Sequence, residues 1–67
     1  MENRTSVYST TSEQEAIIFK DRLVADGIDA IVLDMKDHVT ELVGTFDIFV
    51  INEDAERAKV ILKEIEG

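Results

Sequence analysis

The order in which hydrophobic periodicity changes along this chain constrains its fold more than any other feature. Apolar residues alternate, then recur at helical spacing, then alternate in two further stretches and return to helical spacing, all within 67 residues. Alternation is typical of strands, and three- and four-residue spacing is typical of helices. The order predicts one β-α-β-β-α domain over residues 5–67, preceded by a disordered polar tail at residues 1–4.

A capping box marks the start of the first helix. The Ser12 hydroxyl is placed to accept from the Glu15 amide, while the Glu15 carboxylate can reach back to the Ser12 amide. Gly27 supplies the left-handed residue that ends a helix, so the predicted helix covers residues 13–26. A first strand over residues 5–10 precedes it, with Val7 facing the core and Tyr8 facing the other way.

The buried side of the first helix is a stripe with two uncertain edges. Its members recur at three- and four-residue spacing: Ala16, Phe19 and Leu23. Ile18 lies on one edge, and Ile17 and Val24 lie on the other with Lys20 between them. Because a lysine can cover apolar surface while its ammonium group stays in water, we expect the Lys20 side to be the rim or a contact surface.

Two further strands, over residues 28–33 and 45–51, carry apolar residues on both faces. One face is expected to be the core and contains Ile28, Ala30, Val32, Phe46, Ile48 and Val50. The other contains Ile31, Leu33, Phe49 and Ile51. Asn52 is the expected cap of a second helix, whose stripe is Ala55, Ala58, Ile61, Leu62 and Ile65, with Val60 exposed.

These elements predict an α+β fold in which the third strand lies between the first two and is antiparallel to both. Both helices should cover one face, since a right-handed crossover closes the β-α-β unit that way. A full ferredoxin-like domain would add a fourth strand beside the first. We therefore expect the first strand to expose an edge and the sheet to expose its helix-free face, where Ile31, Leu33, Phe49 and Ile51 are candidate partner-binding residues.

Composition excludes several classes of function. Fifteen acidic against seven basic residues give a net charge of -8, which disfavours nucleic acids and anionic membranes as partners. The chain has no cysteine, in keeping with the reducing cytoplasm, and no apolar run long enough to span a membrane. No nucleophile, zinc or glycine-rich phosphate motif occurs, so we expect neither an enzyme nor a cofactor.

The segment between the second and third strands, residues 34–44, is longer than a hairpin requires. If it forms two helical turns, one side is apolar, with Met35, Val39, Leu42 and Val43, and the other is polar, with Asp34, Asp37, His38 and Glu41. These polar side chains could hold a divalent ion, but a single histidine without cysteine disfavours a metal site. We expect the apolar side to fold onto the sheet or another subunit, leaving Asp37, His38 and Glu41 as a partner-facing surface.

Three hydroxyls, those of Thr10, Thr11 and Ser12, stand at the start of the first helix, where free amides can bind anions. Capping already accounts for Ser12, and Glu13 and Glu15 put negative charge where a phosphate would bind. This pattern favours a helix cap over an anion site.

Several short motifs, in this order and spacing, carry a family resemblance. They are Val7-Tyr8-Ser9, Glu15-Ala16, Leu23, Gly27-Ile28-Asp29-Ala30, Val50, Glu53-Asp54-Ala55-Glu56-Arg57-Ala58 and Ile61-Leu62. Over residues 5–66 the chain resembles the small bacterial family described as "putative prokaryotic signal-transducing protein". The resemblance implies a ferredoxin-like fold similar to that of the PII signalling proteins. The chain departs from many relatives in having Asp29 and Ile51 where they have proline, and the ligand-binding basic residues of PII proteins have no counterpart.

Two functions follow as hypotheses. The first is a non-enzymatic cytoplasmic regulatory module that acts through protein contacts, as a homo-oligomer, because a 67-residue domain is only marginally stable alone. The second is a sensor that binds a nucleotide, 2-oxo acid or amino acid at a subunit boundary near the segment between the second and third strands.

Overall fold

The computed structural model describes residues 2–35 and 44–66. Three strands and two helices follow one another as β1 (Arg4–Thr10), α1 (Glu13–Ala25), β2 (Ala30–Asp34), β3 (Phe46–Ile51) and α2 (Ala55–Glu66). A single 3-10 turn, Asn52–Asp54, connects β3 to α2. The predicted order of elements is confirmed, with strand and helix ends that differ by a few residues.

The sheet has the order β1-β3-β2, and β3 is antiparallel to both neighbours. Because β1 and β2 flank β3, they run parallel to each other, with α1 as their crossover. α1 packs mainly over β2 and α2 mainly over β1. This is the α+β, ferredoxin-like arrangement that the sequence predicts.

One core lies between the helices and the sheet, and its fully buried members come from both layers. They are Ala16, Leu23, Ile28, Ala30, Ile48, Val50, Ala58 and Leu62. Partly buried apolar residues pack against this cluster, among them Val32, Phe46, Phe19, Ile61 and Ile65. The predicted division of β2 and β3 into an inward and an outward face is therefore confirmed.

Gly27 ends α1 in the way that the sequence predicts. Its amide donates to the Val24 carbonyl at 3.0 Å, and its left-handed φ of 87° turns the next residue back toward the helix end. The Ile28 amide donates to the Leu23 carbonyl at 2.9 Å, completing a Schellman motif. Ile28 is buried as expected, but it belongs to this helix end, and β2 begins two residues later at Ala30.

The prediction for Tyr8 is wrong. The register of β1 against β3 shifts between Ser6 and Tyr8, which is the mark of a β-bulge. The extra residue places Val7 and Tyr8 on the same face, where both pack against the core. The Tyr8 ring lies 4.9 Å from that of Phe19 on α1, measured between centroids. Simple alternation fails here because a bulge breaks the two-residue period.

The predicted capping box forms only in part. Ser12 caps α1, its hydroxyl accepting from the Glu15 amide at 3.2 Å. The return bond is absent, because the Ser12 amide donates to the Thr10 hydroxyl at 3.1 Å. The Glu15 carboxylate instead accepts a hydrogen bond from the Tyr8 hydroxyl at 2.7 Å. Two competing partners have therefore replaced the reciprocal bond.

Asn52 has a different role from the one that the sequence suggests. Asn52 begins the 3-10 turn, three residues before α2, and its side chain accepts from the Thr5 hydroxyl and donates to the Glu2 carbonyl at 3.0 Å. Its amide donates to the Asn3 carbonyl at 2.9 Å. Arg4, expected in the tail, is the first residue of β1. Asn52 thus fastens the start of β1 to the end of β3.

Both edges of the α1 stripe are exposed. Ile17 is 43% exposed and Val24 50%, as expected for a rim, and Ile18 on the other edge is 59% exposed. A narrow stripe with Ala16 and Leu23 at its centre therefore holds α1 to the sheet. On α2, Val60 is 58% exposed, in agreement with its predicted outward position.

Candidate interaction surface

The helix-free side of the sheet, called here the open face, has an apolar half. It is built on β2 and β3 because alternate residues of a strand share a face. Ile31 stands opposite Phe49 across the two strands. Leu33 and Ile51 extend the same row of outward positions, and all four side chains are half-buried. The predicted partner-binding residues Ile31, Leu33, Phe49 and Ile51 are therefore brought together on one surface.

The other half of the open face is polar and is organised by Asp47 of β3. Its carboxylate accepts from the hydroxyls of Ser9 at 2.8 Å, Thr45 at 3.1 Å and Ser6 at 3.4 Å. Ser6 and Ser9 are three residues apart in sequence, so regular alternation would put them on opposite faces. The bulge brings both to the open face.

An ion pair crosses the sheet at the end of this face. The Arg4 guanidinium lies 3.0 Å from the Asp29 carboxylate and also donates to the Asp29 carbonyl at 3.4 Å. Arg4 is opposite Ile51, the last residue of the central strand. The arginine therefore reaches across β3 and ties the start of β1 to the start of β2. Sequence reasoning missed this pair, because no local spacing connects residues 25 positions apart.

On the helix side, Tyr8 and Glu15 form a second polar contact, between β1 and α1. The hydrogen bond to Glu15 raises the pKa of Tyr8 to about 12, and burial and the negative charges of Glu15 and Glu66 act in the same direction. At neutral pH the tyrosine is therefore a neutral donor to a carboxylate. This contact joins strand to helix and needs no bound ligand.

Two of the three hydroxyls at the start of α1 accept hydrogen bonds from backbone amides of the chain. Those of Thr10 and Ser12 accept the backbone amides of Ser12 and Glu15, respectively. Glu13 and Glu15 occupy the first turn. These contacts agree with the capping interpretation.

Part of the predicted surface lies outside the described residues. Asp37, His38 and Glu41 belong to it, as do the apolar residues Val39, Leu42 and Val43. Met35, at the near end of the segment, is 47% exposed, and its amide donates to the Thr45 carbonyl at 2.7 Å. This hydrogen bond joins Met35 and Thr45 at the two ends of the segment.

Within residues 2–35 and 44–66, no three histidine, cysteine, aspartate or glutamate side chains are grouped so that they could hold a metal ion. In the same ranges, neither helix has the length and apolar character that crossing a bilayer requires.

Comparison with known families identifies the chain's relatives. The profile of the family described as "Putative prokaryotic signal transducing protein" matches residues 5–66. The chain belongs to this family. The match runs from the second residue of β1 to the end of α2, so the family profile covers the whole ferredoxin-like arrangement except Arg4. No curated protein and no solved structure matches the chain.

Proposed function

We propose that this family member is a non-enzymatic regulatory module of the prokaryotic cytoplasm that transmits a signal through protein contacts. The observation that carries the proposal is the apolar half of the open face, formed by Ile31, Leu33, Phe49 and Ile51. A small domain stabilises itself by covering one face of its sheet. Adjacent apolar side chains on the other face favour a protein partner.

The polar half of the open face supports specificity in such a contact. Asp47 and its three hydroxyl donors form a border beside the apolar residues. A partner that covers the apolar half would meet this polar border, which resembles the apolar centre and polar rim of protein interfaces. The net charge of -8 steers such a module away from nucleic acids.

Site-specific photo-crosslinking tests the proposal. Phe49 is replaced by the photoreactive residue benzoylphenylalanine in the full chain, expressed in prokaryotic cells and irradiated there. The matched control carries the same residue at Val60, which is exposed on α2 and lies away from the open face. We expect discrete crosslinked protein bands from position 49 and none from position 60. Absence of crosslinks at position 49 would refute a protein contact at this face.

The sensor hypothesis predicts a different result. A small ligand at a hundred times its dissociation constant would stabilise the isolated protein by about 2.7 kcal/mol, which a thermal-shift screen detects. The screen uses nucleotides, 2-oxoglutarate and amino acids. Stabilisation by one of these, together with no crosslink at position 49, would replace the contact proposal by a ligand-binding one.

A further inference from the structure

The two edges of the sheet differ in their suitability for pairing with another strand. β1 contains a bulge and carries Ser6 and Ser9 on its open face, features that protect an edge. β2 keeps an unbroken register with β3 from Ala30 to Asp34, and the four residues before its final aspartate are apolar. Within the part of the chain that the structure describes, no strand pairs with the outer side of β2. β2 is therefore the edge that is better suited to pairing with another strand.

The hydrogen bonds of β2 show which backbone groups point outward. Met35 and Thr45 lie one residue beyond the last paired residues, Asp34 and Phe46, and the Met35 amide donates to the Thr45 carbonyl, so they continue the register as a hydrogen-bonded pair. Hydrogen-bonded and non-hydrogen-bonded pairs alternate along antiparallel strands. Leu33 and Ile31 consequently direct their amides and carbonyls toward β3. Val32, between them at the middle of β2, directs its amide and carbonyl away from the sheet.

We infer that the outer edge of β2 pairs antiparallel with β2 of a second copy of this chain, about a two-fold axis at Val32. This arrangement deepens the contact role proposed above by naming one partner and its register. The two Val32 residues then exchange amide-to-carbonyl hydrogen bonds. Ile31 of each copy stands opposite Leu33 of the other, and Ala30 stands opposite Asp34, so no like charges meet.

The pairing also makes the apolar half of the open face continuous. In this register, directly opposed residues lie on the same side of the combined sheet. The Ile31 and Leu33 side chains of both copies therefore become neighbours, flanked by Phe49 on each side. A second copy of the chain fits this edge because its β2 has the same alternation of apolar residues as the strand that it pairs with.

The exposed flank of α1 supplies independent support. At 100° per residue, Ile17 and Val24 project from the side of α1 opposite to Phe19. Phe19 contacts Tyr8 on β1, at the far edge of the sheet, so the flank with Ile17 and Val24 turns toward the outer edge of β2. These two residues are 43% and 50% exposed. Pairing of two β2 strands brings two α1 helices side by side and covers this flank.

Disulfide trapping provides a direct test, because the chain has no cysteine of its own. Residues of a hydrogen-bonded antiparallel pair have Cα atoms about 5.5 Å apart, within the range that a disulfide bridges. We expect Val32→Cys to form a disulfide-linked dimer under mild oxidation. The control is Val60→Cys, whose site is 58% exposed and would crosslink faster if only random collisions occurred. Crosslinking of Val32→Cys no faster than that of Val60→Cys would overturn the inference.

A second pair of variants avoids the half-buried Val32. Ile17→Glu and Ile18→Glu make the same change at neighbouring exposed positions of α1, and Ile18 lies 100° around the helix from Ile17, away from the flank that faces the β2 edge. Sedimentation of the full chain over a concentration series should show a dimer. Ile17→Glu should raise the dissociation constant of this dimer by about tenfold or more, and Ile18→Glu should leave it unchanged. Equal effects of the two changes, or a monomer at every concentration, would contradict the two-fold arrangement.

The two proposals fail separately. A β2-paired dimer without crosslinks at position 49 would support the pairing and refute the contact at the open face. Crosslinks at position 49 to a different protein, with Val32→Cys remaining monomeric, would support the contact and refute the pairing.

Discussion

The two faces of the sheet are made from the same strands and both carry apolar residues, yet they differ in how deeply these residues are buried. Ile48 and Val50 point toward the helices and have no exposed surface, whereas Phe49 and Ile51, one residue further along β3, are half-buried on the open face. The difference comes from where the helices pack. Burial on one face holds the fold together, and the same kind of side chain on the other face is available to a partner.

Polar contacts follow the same division. On the covered face, the Tyr8 hydroxyl links β1 to α1 through Glu15. On the open face, the Asp47 carboxylate accepts hydrogen bonds from three hydroxyls, and Arg4 forms an ion pair with Asp29 across the central strand. Polar contacts on the covered face therefore join the helices to the sheet, while those on the open face join strands within the sheet.

The largest difference should appear when the same side chain is shortened on each face. Ile48→Ala should lower the free energy of unfolding by about 3 kcal/mol, because it leaves a cavity in the core. Ile31→Ala should lower it by about 1 kcal/mol, the transfer energy of a half-buried side chain. Urea unfolding of dilute protein measures both values. Equal losses would mean that the open face is as important to the fold as the covered one.

The Tyr8 contact predicts a response to alkaline pH. Its pKa is raised from 10.0 to about 12 in the folded protein, so its stabilising contribution is complete below pH 10 and is lost as pH rises toward 12. Tyr8 is the only tyrosine, so tyrosinate absorbance reports it alone. Glu15→Gln should move the titration back toward the ordinary value. A wild-type midpoint near that value would show that the hydrogen bond to Glu15 is not formed.

The cap that begins α1 should have a smaller effect on stability. Ser12→Ala removes the acceptor of the Glu15 amide and should lower the free energy of unfolding by about 1 kcal/mol. Thr11→Ala, at the exposed position before the cap, serves as the control and should change little. Thermal unfolding of the two variants compares them. If both changes cost the same, the contribution of Ser12 is not capping.

The smallest effect is expected from the ion pair on the open face. Asp29→Asn should lower the free energy of unfolding by about 0.5 kcal/mol, because the Asp29 side chain is 65% exposed. The loss should shrink at high salt, where surface charges are screened. Asp21→Asn, which removes the similarly exposed partner of Lys20 within one helix, is the matched control. A large, salt-independent loss at Asp29 would mean that the pair organises the open face more strongly than its exposure suggests.

The secondary-structure elements and their order can be predicted from the sequence, because the signals for them are local. Alternation and helical spacing depend on neighbours a few residues away, as do the Ser12 cap and the Gly27 helix end. The same local pattern correctly divided β2 and β3 into an inward face and the outward face with Ile31, Leu33, Phe49 and Ile51.

Where a side chain has more than one possible partner, the contact that forms is seen only in the folded structure. The bulge at Ser6–Tyr8 exists in the pairing of β1 with β3, so alternation along β1 alone placed Tyr8 on the wrong face. Glu15 had a local partner in the Ser12 amide and a distant one in the Tyr8 hydroxyl, and the fold brought the distant one within reach. Arg4 and Asp29 meet because β3 lies between their strands. Such choices depend on distances that exist only after the chain has folded.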